Sequence, residues 1–119
     1  VMAKAMSEDD LLSCCIDLAK LLGYRVAHFR PARTNKGYRT LMQGDTGFPD
    51  LVLANGRRVI FAELKAEDRK PTPEQQAWLD ALRPEFLPRV CQEGARECYV
   101  WKPIDWLDGS IELILKGEA

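Results

Sequence analysis

The sequence predicts a single α/β domain over residues 1–119, in which helices flank a mixed central sheet in a sandwich-like α+β arrangement. A helix-period pattern of apolar residues near the N-terminus precedes three strand-like runs, two of which flank Asn55-Gly56, a strong signal for a β-hairpin. A second capped helix and another strand-like run follow. Helices that bracket strands in this way indicate layers of helix on sheet, so the expected element order is α-β-β-β-α-β.

Residues 7–22 carry the clearest helix pattern. Ser7 is placed as the N-cap, acidic residues fill the first turn, and Gly23 follows the last apolar residue as a stop signal. Glu8 breaks the pattern, because at 100° per residue it projects near the middle of the apolar arc. We therefore expect the Glu8 carboxylate to face the body of the protein, and residues 1–6 to form a flexible N-terminus.

Three β-rich runs follow the first helix, at residues 25–30, 51–54 and 57–64. Residues 31–47 carry turn formers and charges, and they predict a long loop between the first two strands. Alternate residues of the third strand are apolar and can pack on a helix from the opposite face to the charged residues: Ile60, Ala62 and Leu64.

The hairpin at Asn55-Gly56 predicts which side chains of its two strands meet. A two-residue turn there places Asp50 opposite Phe61. Glu63 and Lys65 then project from the same face as Asp50, with Glu63 diagonally across at roughly 7–8 Å between Cα atoms. Two carboxylates and an amine are therefore expected to converge.

Paired carboxylates suit a hard divalent cation such as Mg²⁺, which takes oxygen ligands and keeps several waters for substrate phosphates. A lysine beside them can orient or deprotonate an attacking water, or stabilise the negative charge that grows on a phosphate. A bare Glu-x-Lys pattern is common by chance. Its alternative interpretation is a pair of exposed strand charges.

The second helix is predicted to begin at Thr72 as N-cap, with Pro73 at the first helical position and Gln75 completing a capping box. Pro84 is expected to end it. Beyond it, residues 98–102 are typical of a strand.

The remaining stretches leave alternatives open. The sequence predicts no particular structure for residues 83–97. Residues 104–116 are amphipathic but ambiguous between helix and strand.

Several segments together resemble the VRR-NUC family of PD-(D/E)XK nucleases: Gly47-Phe48-Pro49-Asp50, the hairpin, Glu63-Leu64-Lys65 and residues 72–79. The resemblance extends back to Glu8 and forward to Val100-Trp101-Lys102-Pro103, so it covers nearly the whole chain. It looks closest to the compact single-domain members that are common in phages. It implies a restriction-endonuclease-like core and a Mg²⁺- or Mn²⁺-dependent DNA endonuclease.

The resemblance also implies a role for each matching residue. Asp50 and Glu63 would be metal ligands, the backbone carbonyl of Leu64 would be another, and Lys65 would be the water-orienting or charge-stabilising base.

Two further positions match the family but have structural alternatives. Gln75 matches the glutamine of the following helix, and the alternative is the capping box. Glu8 matches the acid that the first helix presents to the active site, where it is a candidate metal ligand. Its alternative role is to complement the helix dipole, a contribution of a few tenths of a kcal/mol to about 1 kcal/mol.

The basic residues are unevenly distributed. The chain has 17 basic and 18 acidic residues and a net charge of −1, which on average argues against a nucleic-acid partner. Yet the segment from Leu18 to Gly44 holds six basic residues and no acid, so it carries +6 and the remainder carries −7. Such a segment suits phosphate contacts, although a solvated loop is the alternative. The candidate DNA contacts are His28, Arg30, Arg33, Lys36 and Arg39.

The expected function is therefore structure-selective hydrolysis of DNA phosphodiester bonds with Mg²⁺ or Mn²⁺, and the resemblance suggests resolution of Holliday junctions by a homodimer. The alternatives are a flap-type or nonspecific nuclease and a catalytically silent DNA-binding module. No run of residues is apolar enough for a membrane span or a secretory segment, and the four cysteines lack paired CxxC spacing. We expect a cytoplasmic protein with reduced thiols, no membrane partner and no small-molecule cofactor.

Overall fold

The structure is a computed structural model that describes residues 5–29, 32–34, 37–39, 43–83 and 95–117. Its helices and strands are α1 (Glu8–Leu21), β1 (Arg25–His28), β2 (Ala32–Thr34), β3 (Gly37–Arg39), β4 (Leu51–Ala54), β5 (Arg58–Leu64), α2 (Pro73–Leu82), β6 (Ala95–Trp101), α3 (Pro103–Leu107) and α4 (Ser110–Lys116).

Four strands form the central sheet in the order β1-β4-β5-β6. The β1–β4 and β4–β5 pairs are antiparallel, whereas β6 runs parallel to β5. A parallel pair needs a crossover connection, and α2 lies within it. The predicted α/β fold with a mixed sheet is confirmed, and so is the order α-β-β-β-α-β for the sheet and its two main helices.

One prediction about the connecting segments needs correction, and one open choice between helix and strand is resolved. Residues 31–47 were expected to form a loop throughout, but β2 and β3 pair as a separate antiparallel hairpin. Strands of three residues are too short to show an alternating pattern in the sequence. Residues 104–116 fall in the short helices α3 and α4, which meet at Gly109 with a φ of 84°.

Strand boundaries differ from the prediction by a few residues. β1 ends at His28 in the structure, and β6 already begins at Ala95, three residues before the predicted start. The segment 84–94 lies outside the described residues, so the open prediction for it stays open.

The helix caps follow the sequence signals. Ser7 Oγ accepts the backbone N–H of Asp10, and Asp10 Oδ2 accepts the N–H of Ser7, which completes a capping box at the start of α1. Thr72 and Gln75 form the same arrangement at the start of α2.

The hydrophobic core lies between the sheet and α1 with α4. Apolar residues of α1 meet alternate residues of the strands there, and the prediction that one face of β5 packs on a helix is confirmed. The core consists of Leu11, Leu12, Cys15, Ala19, Tyr24, Leu51, Leu53, Ile60, Ala62, Leu64, Trp101, Ile111 and Leu115.

An aromatic cluster occupies the other face of the sheet, beneath α2. Phe48 is its centre, with ring-centroid distances of 5.3 Å to Phe29, 6.0 Å to Phe61 and 4.9 Å to Trp78. All three contacts are edge-to-face, the favourable geometry for aromatic pairs. The Trp78 indole N–H donates to the carbonyl of Asp45 at 3.1 Å. The segment that leads into β4 is therefore fixed against α2.

The turn of the β4–β5 hairpin lies one residue later than predicted. Ala54 pairs with Val59, and the backbone N–H of Asn55 donates to the Arg58 carbonyl at 3.3 Å, so the turn is centred on Gly56-Arg57. The side-chain oxygen of Asn55 accepts the backbone N–H groups of Arg57 and Arg58, both at 3.0 Å. These Asx-type contacts place Asn55 before the turn, whereas the prediction placed Asn55 and Gly56 at its two central positions.

The register of the hairpin is consequently shifted by two residues. Leu51 pairs with Ala62, and continuation of that pairing places Asp50 opposite Glu63. The predicted pairing of Asp50 with Phe61 is wrong. A shift of two residues preserves the face of every side chain, whereas a shift of one would reverse it. The two carboxylates therefore share a face, and they lie closer than predicted.

None of the helices within the described ranges is long and apolar enough to cross a membrane.

Candidate active site

Asp50 stands at the entrance to β4 and is held by both neighbouring strands. Its side-chain Oδ2 accepts the backbone N–H of Leu64 at 2.9 Å, at the end of β5. Its backbone carbonyl accepts the N–H of Phe29 at 3.0 Å, just beyond β1. The orientation of the Asp50 carboxylate is therefore fixed by the sheet itself.

The approach of the Asp50 segment to α2 depends on Gly47. This residue has a φ of +95°, and a Cβ built on it would lie 2.7 Å from the carbonyl carbon of Glu74 and 2.8 Å from the backbone nitrogen of Gln75. Only glycine accommodates both the conformation and the close approach. Gly47 thus lets the chain pass against the first turn of α2 three residues before Asp50.

Glu63 is buried in the sheet beside Asp50. It is 1% exposed, and it is the one buried charged residue within the described ranges. Its Oε1 lies 3.7 Å from the Lys65 Nζ. Its Oε2 is buried and has no hydrogen-bond partner among the described residues. A buried carboxylate oxygen without a partner is costly, so this atom requires an explanation.

The electrostatics of the pair favour a cation. Burial raises the pKa of the Glu63 carboxyl well above its usual range, and the negative charge of Asp50 raises it further. Lys65 opposes this shift only in part. Two carboxylates that share a site cannot both ionise without cost unless positive charge lies between them.

Lys65 follows β5 directly. Its backbone N–H donates to the Trp101 carbonyl at 3.0 Å, so the ladder with β6 extends to this residue. Its side chain is 14% exposed. The ammonium group is thus held near the acid pair on a rigid strand end.

Glu8 lies at the rim of the same site. Partial burial raises the pKa of its carboxyl, the charge of Asp50 raises it further, and Lys65 and Arg69 lower it. The side chain is exposed, in contrast to the expectation that it faces the body of the protein. All three residues of the first turn, 8–10, are exposed, and the buried stripe of α1 begins only at Leu11.

The donor set fits a divalent cation with few protein ligands. No group of three His, Cys, Asp or Glu side chains in the described part of the chain is arranged to hold a metal ion. Asp50 and Glu63 would therefore be its carboxylate ligands, with the Leu64 carbonyl and water as the others. Mg²⁺ commonly binds through one or two carboxylates and retains several waters, and the unpartnered Glu63 Oε2 fits a ligand role.

Gln75 is engaged at the helix end. Its side-chain oxygen accepts the Thr72 N–H at 2.8 Å, and its own N–H donates to Thr72 Oγ1 at 3.2 Å. The geometry supports the capping interpretation. Through its backbone contact with Gly47, Gln75 bears on the site as part of the surface against which the Asp50 segment packs.

The predicted DNA contacts are only partly described. His28 is half-buried and pairs with the core residue Leu51, which places it on the α1 face and not on the face of Asp50. Arg33 and Arg39 lie on the β2–β3 hairpin. Arg30 and Lys36 lie outside the described residues.

Arg69 is a further charged residue near the site, and it is not among the candidates predicted from the sequence. The turn over residues 66–69 closes with the Arg69 N–H donating to the Ala66 carbonyl at 3.0 Å. Glu67 anchors this turn, because its carboxylate accepts the N–H of Ile104 and its carbonyl accepts the Lys102 ammonium at 3.3 Å. The positive charge of Arg69 acts on Glu8. The available signal was a basic residue four positions after Lys65.

Comparison of the chain with protein-family models, with curated protein sequences and with solved structures finds no match. The case for a function therefore rests on the site itself.

Proposed function

We propose that this protein is a Mg²⁺- or Mn²⁺-dependent DNA endonuclease whose active centre is formed by Asp50, Glu63 and Lys65. One observation carries the proposal: a carboxylate oxygen of Glu63 is buried without a partner, next to a second carboxylate. Replacing a buried charge by an apolar residue of similar size is often neutral or stabilising. A cation-binding role accounts for an acid pair at this position, whereas a structural role does not.

Asp50, Glu63 and the Leu64 carbonyl would hold the cation. When bound, the cation supplies positive charge to the phosphate and lowers the pKa of a coordinated water. The Lys65 ammonium, at the edge of the acid pair, would orient the attacking water and stabilise the negative charge that develops on the phosphate. Arg69, on its anchored turn, would contact the same phosphate or the adjacent one.

The choice of DNA as substrate rests on charge and on the resemblance to the VRR-NUC family. The segment from Leu18 to Gly44 carries +6 and precedes Asp50 by a few residues. A basic segment beside a cation-dependent phosphodiesterase centre suits a polyanion. The restriction-endonuclease-like core, preference for branched DNA, resolution of four-way junctions and action as a homodimer are carried over from that resemblance.

The test is cleavage of supercoiled plasmid and labelled duplex DNA with Mg²⁺ or Mn²⁺. Asp50→Asn and Lys65→Ala should each reduce the cleavage rate by about 100-fold or more, as expected when a group that stabilises the transition state is removed. DNA binding should persist in both variants. Lys70→Ala is the matched control, because Lys70 is an exposed lysine of the same loop. Full cleavage by Lys65→Ala would contradict the assignment.

A second panel addresses the shape of the substrate. The wild-type protein should cut a four-way junction faster than flap, linear duplex or single-stranded DNA of the same sequence. Equal rates on all substrates would favour a nonspecific nuclease, and fastest cutting of the flap would favour a flap-type enzyme. DNA binding without cleavage and without binding of Mg²⁺ or Mn²⁺ would favour the catalytically silent DNA-binding module.

A further inference from the structure

Phe29 displays an aromatic ring to solvent. It is 41% exposed, although its edge-to-face contact with Phe48 anchors one side of it. Phe48 in turn packs on Phe61 and Trp78. The exposed ring therefore belongs to a supported cluster and would lose little conformational freedom on contact with a ligand.

The position of Phe29 links it to the candidate active site. Its backbone N–H donates to the carbonyl of Asp50 at 3.0 Å, which continues the β1–β4 ladder by one residue. Residues opposite each other in an antiparallel pair share a face. Phe29 and Asp50 therefore lie side by side on the face that also carries Glu63.

The outer face of β1 extends this surface. Side chains alternate along a strand, so Arg25 and Ala27 lie on the same face as Phe29. Both are exposed, whereas Val26 and His28 on the other face are half-buried. Arg25, Ala27 and Phe29 thus form one row on the edge strand β1, and the row ends beside Asp50. Arginine contacts with phosphates and aromatic contacts with bases are how single-stranded nucleic acid is held.

We propose that Phe29 is a base-stacking residue that binds an unpaired nucleobase beside the cleaved phosphate, with Arg25 contacting the backbone of the same strand. This inference rests on the proposed nuclease function and gives it a substrate class: DNA with an unpaired nucleotide at the cleavage site. Every base has an aromatic face, so such a contact selects unpaired geometry and not sequence.

A nucleobase fits this surface better than a second copy of the chain. The edge strand that leads to Phe29 carries Arg25, and six basic residues lie between Leu18 and Gly44 without an acid. Two copies meeting here would bring like charges together. A single ring also offers far less area than the roughly 800 Å² per partner of a stable protein interface. A DNA strand brings the complementary charge and a flat apolar base.

The test measures DNA binding without divalent cation, so that no cleavage occurs. The probe is a duplex with one unpaired 2-aminopurine, compared with a fully paired duplex of the same sequence. Phe29→Ala should weaken binding of the unpaired probe by about 10-fold, within the range of one lost base–aromatic stack. It should also abolish the quenching of 2-aminopurine fluorescence and leave the affinity for paired duplex within about twofold.

Two further variants complete the design. Phe29→Trp should restore both affinity and quenching. Leu107→Ala truncates another exposed apolar residue, 66% exposed on α3, and should change neither quantity. Circular dichroism of each variant establishes that it is folded. Equal losses on paired and unpaired probes, or wild-type quenching by Phe29→Ala, would overturn the inference. So would a change in oligomeric state by sedimentation, which would place a second copy of the chain at this surface.

The stacking test and the nuclease test fail separately. Absence of stacking in a protein that cleaves DNA with Mg²⁺ would reject the role of Phe29 alone. Stacking that depends on Phe29 in a protein that neither cleaves DNA nor binds divalent cations would support the base contact and reject the nuclease proposal.

Discussion

Glu63 is the residue whose burial is energetically most costly within the described part of the chain. Its carboxylate is buried, has another acid as a neighbour, and is compensated only partly by Lys65 at 3.7 Å. Sequence patterning could show that Asp50, Glu63 and Lys65 share a face, because strand alternation is a local property. It could not show that Glu63 is buried, because burial depends on packing between elements that are distant in sequence.

Replacement of Glu63 tests the cost of burying its charge. Glu63→Gln keeps the shape of the side chain and removes its charge. Because burial and the charge of Asp50 disfavour the ionised carboxyl in the folded state, the free energy of unfolding without metal should rise by about 1–3 kcal/mol near pH 8. Mg²⁺ should stabilise the wild-type protein, because only the folded state brings the ligands together. Chemical denaturation with and without Mg²⁺ measures both effects, and the variant should gain nothing from the metal.

Glu112→Gln provides the control. Its carboxylate is exposed and takes part in an i,i+4 pair with Lys116, so its loss should change stability by less than about 0.5 kcal/mol and leave the response to Mg²⁺ intact. If Glu63→Gln destabilised the metal-free protein, the charge at this position would be structurally favourable and the argument for a cation would fail.

At the scale of elements, the sequence predicted local features well and their mutual placement less well. Both helix caps follow from short motifs at Ser7 and Thr72, because a cap is a contact over three residues. The hairpin was located correctly, yet its register was shifted by two residues, since the side chain of Asn55 stabilises a turn centred on Gly56-Arg57. The carboxylates still meet because strand alternation has a period of two.

The glycine that packs on α2 yields a second prediction. Gly47→Ala should lower the free energy of unfolding by about 3 kcal/mol, because a Cβ would clash with the backbone of Glu74 and the positive φ is strained. It should also reduce metal-dependent cleavage by displacing Asp50. Gly44→Ala is the control: Gly44 has a similar φ of +98°, with nothing within 4 Å of the new Cβ. This variant should lose only about 1 kcal/mol of unfolding free energy.

Urea denaturation and a cleavage assay together separate these effects. The interpretation of the Gly47 contact is contradicted if the two alanine variants lose the same stability, or if Gly47→Ala cleaves DNA at the wild-type rate.

A clamp at the far end of the sheet joins elements that are distant in sequence. The Arg58 guanidinium donates to both carboxylate oxygens of Glu97 at 2.5–2.6 Å, to the Tyr24 hydroxyl at 3.1 Å and to the Ile114 carbonyl at 2.5 Å. It thereby ties β5, β6 and the C-terminal helix together. Burial alone raises the pKa of Glu97, but hydrogen bonds from Arg58 and Tyr99 lower it overall.

Removal of the Arg58 guanidinium should destabilise the fold at neutral pH. Arg58→Met should lower the free energy of unfolding by about 2–4 kcal/mol, because it leaves Glu97 partly buried without its partner. The stabilisation from Glu97 is present above its unfolded-state pKa of about 4.3 and is lost as pH falls through the lowered folded-state value. The gap between wild type and variant should therefore narrow below about pH 4 in a pH series of denaturation curves. A gap that is constant from pH 7 to pH 3 would show that the ion pair is not its source.

The whole molecule shows why average composition misleads about the partner. A net charge of −1 conceals a +6 segment from Leu18 to Gly44. The rest of the chain carries −7, and this includes the buried acid Glu63 of the candidate metal site. The α/β class followed from the order of elements. The β2–β3 hairpin and the two C-terminal helices did not, because each is too short to impose a period on the sequence.

The basic segment should govern the salt dependence of DNA binding. Neutralising Arg33, Lys36 and Arg39 together should weaken binding at low salt and reduce the slope of log K against log salt by about 2 to 3, since each phosphate contact contributes about 0.9. Fluorescence anisotropy over a series of salt concentrations measures the slope. A triple variant with an unchanged slope would mean that this segment does not contact phosphates.

The nuclease proposal depends most directly on whether Asp50 and Glu63 hold a divalent cation together. Anomalous diffraction from crystals soaked in Mn²⁺ locates the ion without reference to activity. We predict one strong peak within about 2.1 Å of a carboxylate oxygen from each residue, and its loss in crystals of Glu63→Gln. A peak elsewhere on the protein, or none between these two carboxylates in a well-occupied soak, would contradict the central claim.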